Sequence, residues 1–416
     1  HDLLFIICIK LVNFERFSNT LTLLTNFGET FPFNLNTAFS FKIYNSTVQL
    51  PLKWDDLAIS TIFLSRKYLE VLEKSSPDNM ICHFIGIFEN ESLVGVALCQ
   101  FLDLNKLESF GERDKCVKTA VRNIIFGNFA SNVLVIGNNM LTGQNSFAFS
   151  DIIDKKKALR TIHAATAELK NIFKARGINI HITTYKDFNK EEIKDFDIPE
   201  FKNDYQFSTQ PNMVFSINEN WKSEQDYIDS LSKKYRDQYK RARKKAALIE
   251  KKKLELPDII ALEDTIYELY FHVAKNAPFN TFFLPKNHFR VFKEIFNDKF
   301  LFYGYFLNDE LIGFNTLIKN GKVMDTYFLG YNDSIQREKM LYLNMLYDMI
   351  AYSINKNFKE IVFARTALEI KSSVGAKPIK MYGLMAHREC MVNVFLPKIF
   401  TYLAPETIWQ ERNPFK

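Results

Sequence analysis

The chain has 416 residues, with 54 Lys and Arg residues against 48 Asp and Glu residues, so its formal net charge is +6. Apolar residues make up 47% and charged residues 25%, while Gly (14) and Pro (12) are scarce, which excludes a disordered or collagen-like chain. The length predicts two or three domains, each with its own core.

Residues 1–38 are a doubtful N-terminal segment. They begin with His instead of Met, and their apolar stretch (3–12) is too short to span a bilayer. No basic region or small-residue cleavage site marks a secretory signal, so we expect a fragment or a misplaced start. Elsewhere no apolar stretch approaches ~18 residues, which predicts no transmembrane helix. Five cysteines without a C-x-x-C pair, and seven scattered His residues, predict a cytoplasmic protein with reduced thiols and no metal.

The first half of the chain alternates helical and strand patterns. Residues 85–95 predict a strand, a tight turn and a second strand, because apolar residues alternate around Asn-Glu. The remaining predicted elements are a helix over 63–74, a strand at NVLVIGNN, a helix over 156–177, a strand over 178–185 and a short helix near 189–196. We expect a first domain over 39–220.

A strongly basic segment joins the two halves. Residues 232–253 contain 11 Lys and Arg residues and two acids, a net charge of +9, so the rest of the chain carries −3. Apolar residues recur every three or four positions from Ile228 to Ile249, which predicts one helix capped by Ser223 or Ser230, in a linker over 221–255. Its basic face is either a solvated surface or a surface for phosphate groups, and both interpretations stay open.

The second half, predicted as a domain over 256–416, repeats the order of the first. Residues 303–313 predict another strand, turn and strand. The other predicted elements are a helix over 283–294, a strand over 322–332, a polar loop over 333–340, a helix over 341–357, a strand over 360–365, a short helix over 366–376 ending at Gly375, and one final strand over 377–388.

The two halves share sequence as well as pattern. At a constant offset of 218 residues, IGIFENESLVG (85–95) and YGYFLNDELIG (303–313) have five identities. FLSRKYLEVLEK (63–74) and FLPKNHFRVFKE (283–294) align upstream at an offset of 220. Two aligned elements in the same order favour an internal duplication over chance. The predicted fold class is α/β, with mixed sheets and flanking helices in both halves.

This duplicated order resembles the GNAT acyltransferase superfamily in its tandem form, which includes Fem-type aminoacyl ligases and bacterial N-acyltransferases. The resemblance covers roughly 41–400 and is strongest at WKSEQDYIDSLSKKYR (221–236) and ARTALEIKSSVGAKP (364–378). It implies two GNAT-like domains, each a mixed, mostly antiparallel sheet flanked by helices, joined by the basic helix. The long coiled-coil insertion of the Fem-type ligases is absent.

The resemblance also implies a donor site in the second half. In GNAT proteins a strand, here 323–330, splays from its neighbour and its amides polarise a thioester carbonyl, while the next helix, here from about 340, binds the pyrophosphate of CoA. A Q/R-x-x-G-x-G/A loop should precede that helix, but both glycines are missing here. An acyl-CoA or other thioester co-substrate would then rely on charge from Arg337 and Lys339. The implied cofactor-binding residues are Gln336, Arg337, Lys339, Met340 and Leu341. The first half has only the glycine-flanked segment 137–143, so we expect it to be a structural or acceptor-side lobe.

Three charged residues follow the strand over 360–365. Arg365 would bind a carboxylate or phosphate, Glu369 would be the general base for an amine, and Lys371 would bind substrate. The alternative is an Arg365–Glu369 ion pair that only caps the helix. We favour function, because Arg365 directly after a buried apolar run needs an anionic partner.

The other candidates are weighed against structural roles. Asp325 is a candidate catalytic acceptor of the amine proton, but alternation on its strand also predicts exposure to solvent. Tyr382 would protonate a thiolate leaving group, although a Tyr in a Phe-rich protein is more often in the core. Asn344 lies four residues before Asp348, so the two share a helix face as site or surface residues. His272 would line the acceptor cleft, although a lone His is more often structural.

Four functional hypotheses follow. The first is transfer of an acyl group from acyl-CoA or an acyl-carrier protein to a small-molecule amine by direct attack in a ternary complex. The second is an aminoacyl-tRNA-dependent ligase whose basic helix, including Arg236 and Arg241, binds tRNA. The third is a non-catalytic GNAT-like binding protein, suggested by the missing glycines. The fourth is transfer to a lipid amine with peripheral contact to the inner membrane.

Overall fold

The computed structural model describes residues 39–106, 130–208, 210–277, 280–403 and 409–416, so the predictions for 1–38 lie outside it. The strands are β1 (Phe39–Tyr44), β2 (Met80–Glu89), β3 (Ser92–Asp103), β4 (Asn132–Ile136), β5 (Phe147–Phe149), β6 (Ile182–Phe188), β7 (Tyr205–Ser208), β8 (Asn212–Ser216), β9 (Glu250–Lys253), β10 (Phe300–Leu307), β11 (Glu310–Asn320), β12 (Val323–Tyr331), β13 (Glu360–Ala364), β14 (Lys377–Ile379) and β15 (Tyr382–His387).

The α-helices alternate with these strands. They are α1 (Trp54–Leu57), α2 (Arg66–Ser75), α3 (Lys155–Ala175), α4 (Glu224–Ser230), α5 (Lys233–Lys245), α6 (Leu256–Ala261), α7 (Glu263–Lys275), α8 (His288–Phe296), α9 (Asp333–Lys339), α10 (Leu341–Asn355), α11 (Leu368–Ser373) and α12 (Cys390–Leu403). Within the described ranges, none of these helices has both the length and the apolar character needed to cross a bilayer.

The strands form two mixed, mostly antiparallel sheets. The first has the order β1-β2-β3-β4-β6-β15-β7, with β5 also paired to β3, and the second has the order β14-β8-β13-β12-β11-β10-β9. Among the described strands, each sheet contains one parallel pair, β4–β6 in the first and β12–β13 in the second. The α/β fold class, with helices flanking two similar sheets, is confirmed.

Each sheet takes one strand from the other half of the chain. β8 lies before the basic segment but pairs with β13 in the second sheet, and β15 lies near the C-terminus but pairs with β6 and β7 in the first. The single strand predicted over 377–388 is therefore wrong: β14 and β15 belong to different sheets. Alternation along one segment identifies strands but not their partners, so this exchange had no local signal. The boundaries at 220 and 255 stay predictions.

The two predicted hairpins have the same geometry. The turn residues Asn90 and Glu91 both have positive φ, as do Asn308 and Asp309 at the offset of 218. This is the backbone of a two-residue type I′ turn, which favours Asn at its first position. A register shift also falls at equivalent places, 87/88 in β2 and 305/306 in β10. Corresponding turns and bulges support the duplication inferred from sequence.

The paired helices of the repeat connect the two halves. α2 and α8 pack against each other, and Tyr68 of α2 makes an edge contact with Phe292 of α8 at a centroid distance of 6.0 Å. The hydrophobic core around them contains buried residues from both halves, such as Trp54, Phe84 and Phe314. The interface between the halves is thus part of a continuous core.

The basic segment is not one helix. Ser223 and Asp226 form a capping box for α4, and Leu231 separates α4 from α5. α5 ends at Lys245, and the remaining basic residues form β9, which pairs with β10 at the sheet edge. The predicted apolar stripe holds for Tyr235 and Ala242, which are buried. After α5, residues 250–253 form a strand because they pair with the edge of the sheet. Helical spacing in the sequence cannot predict this pairing.

The polar loop predicted over 333–340 is instead the helix α9. The Asn332 side chain accepts a hydrogen bond from the Ser334 amide and so caps it. Met340 then has φ +53°, a left-handed conformation that ends α9 and starts α10. The chain therefore reaches α10 through a helical turn, where the family's pattern predicts a glycine-containing loop.

Candidate functional site

The parallel strands β12 and β13 separate partway along their length. They pair only over Val323–Asp325 and Glu360–Val362, although β12 continues to Tyr331 along β11. The Thr326 hydroxyl donates to the Val362 carbonyl at 3.0 Å, at the point where the strands part. Beyond this point the β12 edge that faces β13 has no paired strand among the described residues. This separation is the strand geometry that the family resemblance implied.

Asp325 lies on β12 at the last paired position. Its side chain is buried, so the alternative that it faces solvent is wrong. The Asn320 amide donates to the carboxylate at 3.2 Å, and Asn320 accepts from the backbone amide of Ile62 in the first half. Burial raises the pKa of the Asp325 carboxyl to about 7. A carboxyl with that pKa is suited to exchange a proton near neutral pH.

A buried polar chain runs beside Asp325 between the halves. Asn138 donates to the Tyr68 hydroxyl at 2.8 Å, and the hydroxyls of Tyr68 and Tyr327 are hydrogen-bonded. Tyr327 in turn lies 3.0 Å from Nε2 of His288, whose Nδ1 lies 2.8 Å from the Ser75 carbonyl oxygen. Burial lowers the pKa of His288 to about 4, so the ring is neutral, with Nδ1–H donating to Ser75. The chain links α2, α8 and β12.

Arg365 pairs with a carboxylate from the other half of the chain. Its guanidinium contacts Asp187 of β6, and Asp187 also lies 2.6 Å from the ammonium of Lys186. Asp187 is only 1% exposed. Lys186 and Asp187 are not among the site residues predicted from the sequence, although they follow an apolar strand pattern just as Arg365 does. The expected anionic partner of Arg365 is therefore Asp187, and the alternative Arg365–Glu369 ion pair is wrong.

Lys371 is buried beside the same strand end. Its ammonium donates to the carbonyls of Phe363 and Arg365, at 2.5 and 2.7 Å. Burial lowers the pKa of Lys371 to about 7. The segment it stabilises is unusual, because Ala364, Thr366 and Ala367 all have positive φ, which costs free energy in non-glycine residues. Lys371 therefore holds a strained loop directly after β13.

Glu369 lies apart from this cluster. It is half-exposed on α11 and pairs with Arg412 of the C-terminal segment, whose Nε donates at 3.0 Å. The hydrogen bond from Arg412 lowers the pKa of Glu369, which makes it a weaker base. Both residues line a surface cavity of about 410 Å³ with Lys234, Tyr235, Gln238, Ile370 and Ser373.

Tyr382 belongs to the first sheet. It is the first residue of β15 and pairs with Phe188 of β6, next to Asp187. The strand exchange thus places Tyr382 opposite the β6 residue that follows Asp187. Its proposed role as a proton donor stays a prediction.

The first turn of α10 is covered by the basic helix. The Asn344 side chain donates to the Ala242 carbonyl of α5 at 3.0 Å, and Arg243 contacts both Asn344 and Asp348, at 3.4 and 2.6 Å. Asn344 and Asp348 therefore share a face, as predicted. The cavity here measures about 180 Å³ and is lined by Arg243, Ala246, Ile249, Lys251, Tyr305, Leu341, Asn344 and Asp348.

The residues before α10 do not form an open amide cradle for a pyrophosphate. Leu341 is fully buried, and Gln336, Arg337 and Lys339 lie on α9. Lys339 pairs with Glu338 at 2.8 Å, while Arg337 is exposed. The group that could meet a phosphate here is a charged side chain, because side chains replace the glycines that would let backbone approach.

Three predicted binding residues lie on the surface. His272 of α7 is half-exposed and lies 3.3 Å from Asp333 at the start of α9. Arg241 is exposed and Arg236 half-buried on α5. Neither Arg236 nor Arg241 has an ion-pair partner in the described chain, so both are available to an external anion.

The comparisons with known proteins agree with this architecture. No family model and no curated protein matches the sequence. Among solved structures, FemX is similar with a TM-score of 0.50 and 11% identity, over 87% of this chain and 99% of that chain. A tandem GNAT protein from the clavulanic acid biosynthesis pathway has a TM-score of 0.48 and 8% identity, over 84% of this chain and 98% of its own. The chain therefore has a fold similar to that of FemX.

Proposed function

We propose that the protein is an acyltransferase that moves an acyl or aminoacyl group from an activated donor to an amine. The observation that carries this proposal is the separation of β12 from β13 beside a buried carboxyl, Asp325. An unpaired strand edge offers backbone amides to a carbonyl oxygen that gains charge during attack. A carboxyl with a pKa of about 7 beside it can take the proton that the amine loses.

The chemistry needs no covalent intermediate. The amine nitrogen attacks the donor carbonyl carbon, the C–N bond forms, and the C–S or C–O bond to the carrier breaks. Asp325 accepts the amine proton, and the leaving thiolate or alkoxide takes up one proton. Holding both reactants together accounts for much of the acceleration, because it removes the entropic cost of a bimolecular encounter.

A thioester is the first donor class. The basic side chains of α9 would replace the missing glycines by binding a phosphate of the carrier through charge. We expect CoA, acetyl-CoA or an acyl-carrier protein to bind with a Kd below 1 mM in calorimetry, and Arg337→Glu to weaken binding about tenfold. Lys42→Glu is the control, because Lys42 is exposed on β1. If none of the three carriers binds at millimolar concentration, the thioester form of the proposal fails.

An aminoacyl-tRNA is the second donor class, favoured by the exposed basic face of α5. Lys233, Lys240, Arg241, Lys244 and Lys245 are all exposed there, and α9 contacts the same helix. Of the basic side chains on α5, Arg243 is committed to Glu224 and Asp348, at 2.7 and 2.6 Å. On α5, Arg243 therefore has a structural role, and the exposed basic side chains could bind phosphate groups.

Reversal of three of these charges tests the tRNA donor. We expect Arg236→Glu, Arg241→Glu and Lys244→Glu together to abolish tRNA binding, and the parent's affinity to fall steeply with salt, because each phosphate contact releases counterions. The measurement is filter binding between 50 and 200 mM KCl. The control reverses Lys156, Lys174 and Lys190 of the first half, which are exposed. Equal affinity in both triple variants, or binding independent of salt, contradicts a tRNA donor.

A further inference from the structure

The ends of β6 and β13 meet at the junction between the two halves. Lys186 and Asp187 lie near the end of β6, and Arg365 directly follows β13. These strands are the equivalent members of the two parallel pairs, since each follows a central helix in its own half. The cluster thus combines charged groups from both repeats at one buried place.

The cluster holds more basic than acidic groups. Among the described residues, Asp187 is the one carboxylate in contact with Lys186 and Arg365. The other hydrogen bonds of Lys186 and those of Lys371 go to backbone carbonyl oxygens. Burial lowers the pKa of Lys186, lowers that of Lys371 to about 7, and lowers that of Arg365 only to about 10. Arg365 therefore stays charged at neutral pH, while burial disfavours the protonated form of both lysines. An added anion would reverse that effect.

Arg365 also has unused hydrogen-bonding capacity. A guanidinium has five N–H donors, and Nη2, although in contact with Asp187, makes no hydrogen bond within the described parts of the chain. Arg365 Nε is buried and has no acceptor in the described parts of the chain. A buried donor without an acceptor costs free energy, so a ligand that accepts from it is favoured. The Nε edge of a guanidinium matches the two oxygens of a carboxylate.

The cluster adjoins the separated strands. Arg365 follows the last paired residue of β13, Val362, by three positions, so the two lie within ~10 Å along the chain. If a small amine is held between β12 and β13, a substituent two or three bonds from its nitrogen would lie near Arg365. The strained loop that Lys371 stabilises borders the same gap.

We propose that the Lys186–Asp187–Arg365–Lys371 cluster binds a carboxylate, and that the acceptor is an amine bearing a carboxylate, such as an amino acid or the end of a peptide. The carboxylate site stands by itself, and its assignment to the acceptor rests on the proposed acyl transfer. Arg365 binds the carboxylate through its Nε edge, and the two lysines contribute charge. Specificity for the acceptor then comes from the junction of the repeats.

Binding of simple anions tests the site without turnover. We expect sodium acetate to raise the melting temperature and to bind in calorimetry with a millimolar Kd, against sodium chloride at equal ionic strength. Binding at pH 8 should take up protons, seen as a heat that depends on the buffer's ionisation enthalpy. No difference between acetate and chloride overturns the proposal. Tighter binding of inorganic phosphate than of acetate overturns the carboxylate assignment.

A conservative variant separates this site from a purely structural ion pair. Arg365→Lys keeps a cation against Asp187 but removes the Nε edge, so we expect a fold of near-parent stability with acetate binding at least tenfold weaker. Arg412→Lys, paired with exposed Glu369, is the matched control and should leave binding unchanged. Unchanged acetate binding in folded Arg365→Lys overturns the proposal.

Turnover distinguishes this inference from the proposed function. Once a donor is known, alanine and ethylamine serve as acceptors that differ by the carboxylate. In the parent protein, we expect kcat/KM for ethylamine to be at least tenfold lower than kcat/KM for alanine. In Arg365→Lys, we expect the difference between the two amines to be much smaller. Equal rates with both amines overturn the acceptor assignment and leave acyl transfer standing. Acetate binding without transfer from any donor refutes the proposed function and leaves the carboxylate site standing.

Discussion

Asp325→Asn should slow acyl transfer by about 100- to 10,000-fold, the usual loss when a positioned proton acceptor is removed. Asn keeps the size of the side chain, and its amide oxygen can still accept from Asn320, which donates to Asp325 at 3.2 Å. The measurement is kcat with a saturating donor. Full activity in Asp325→Asn would exclude Asp325 as the base.

The same variant has an opposite effect on stability. Burial raises the pKa of Asp325 to about 7 from an ordinary value near 3.8, so the folded state binds this proton more tightly than the unfolded state. The contribution of Asp325 is therefore most favourable below pH 4 and is lost as the pH rises toward 7. Asp325→Asn removes that loss, so its free energy of unfolding should exceed the parent's at pH 8 by a few kcal/mol, and by less at pH 5.

Urea denaturation of parent and variant at pH 5 and pH 8 measures this difference. Glu369→Gln is the control, since Glu369 is half-exposed and pairs with Arg412 of the C-terminal segment. Slower transfer with higher stability at pH 8 indicates a carboxyl retained for reactivity at a cost in stability. Slower transfer with lower stability at both pH values would instead assign Asp325 a structural role.

Asp187→Asn should lower the free energy of unfolding by about 3–5 kcal/mol, because it leaves buried Arg365 without its compensating charge. Asp187 has φ +71°, a conformation that Asn also tolerates, so the loss reports charge and not backbone strain. Urea denaturation at pH 7 measures it. Asp195→Asn, whose exposed carboxylate lies 3.9 Å from Lys155, should change stability by at most about 0.5 kcal/mol. A loss below about 1 kcal/mol in Asp187→Asn would show that Arg365 is solvated.

Local pattern was sufficient for much of the fold. Alternation and Asn-containing turns located both hairpins, and helical spacing located α3 and α10 within a few residues. The repeat followed from identities at a fixed offset, and its equivalent turns and bulges have the same geometry. These features depend on neighbours along the chain, so one sequence contains the required information.

The sequence predicted only part of the candidate site. Arg365 was singled out because a cation after a buried strand needs an anion, but its partner, Asp187, lies 178 positions earlier and was not identified. Glu369 lies four positions after Arg365, a spacing that suggested an ion pair between them, yet Glu369 pairs with Arg412 of the C-terminal segment. Side-chain partners that are far apart in sequence leave no periodic signal. The residue type therefore indicated that Arg365 requires an anionic partner, but it did not identify which residue that partner is.

The sequence by itself determined the elements, the duplication and the concentration of positive charge between the halves. Only the tertiary structure decided which sheet receives β8 and β15, where helix gives way to strand after Lys245, and that Asp325 is buried. The physical reason is the range of the interactions: hydrogen bonds within helices and turns act between near neighbours, whereas sheet pairing and burial join distant segments. The junction that binds the two halves depends on the second kind.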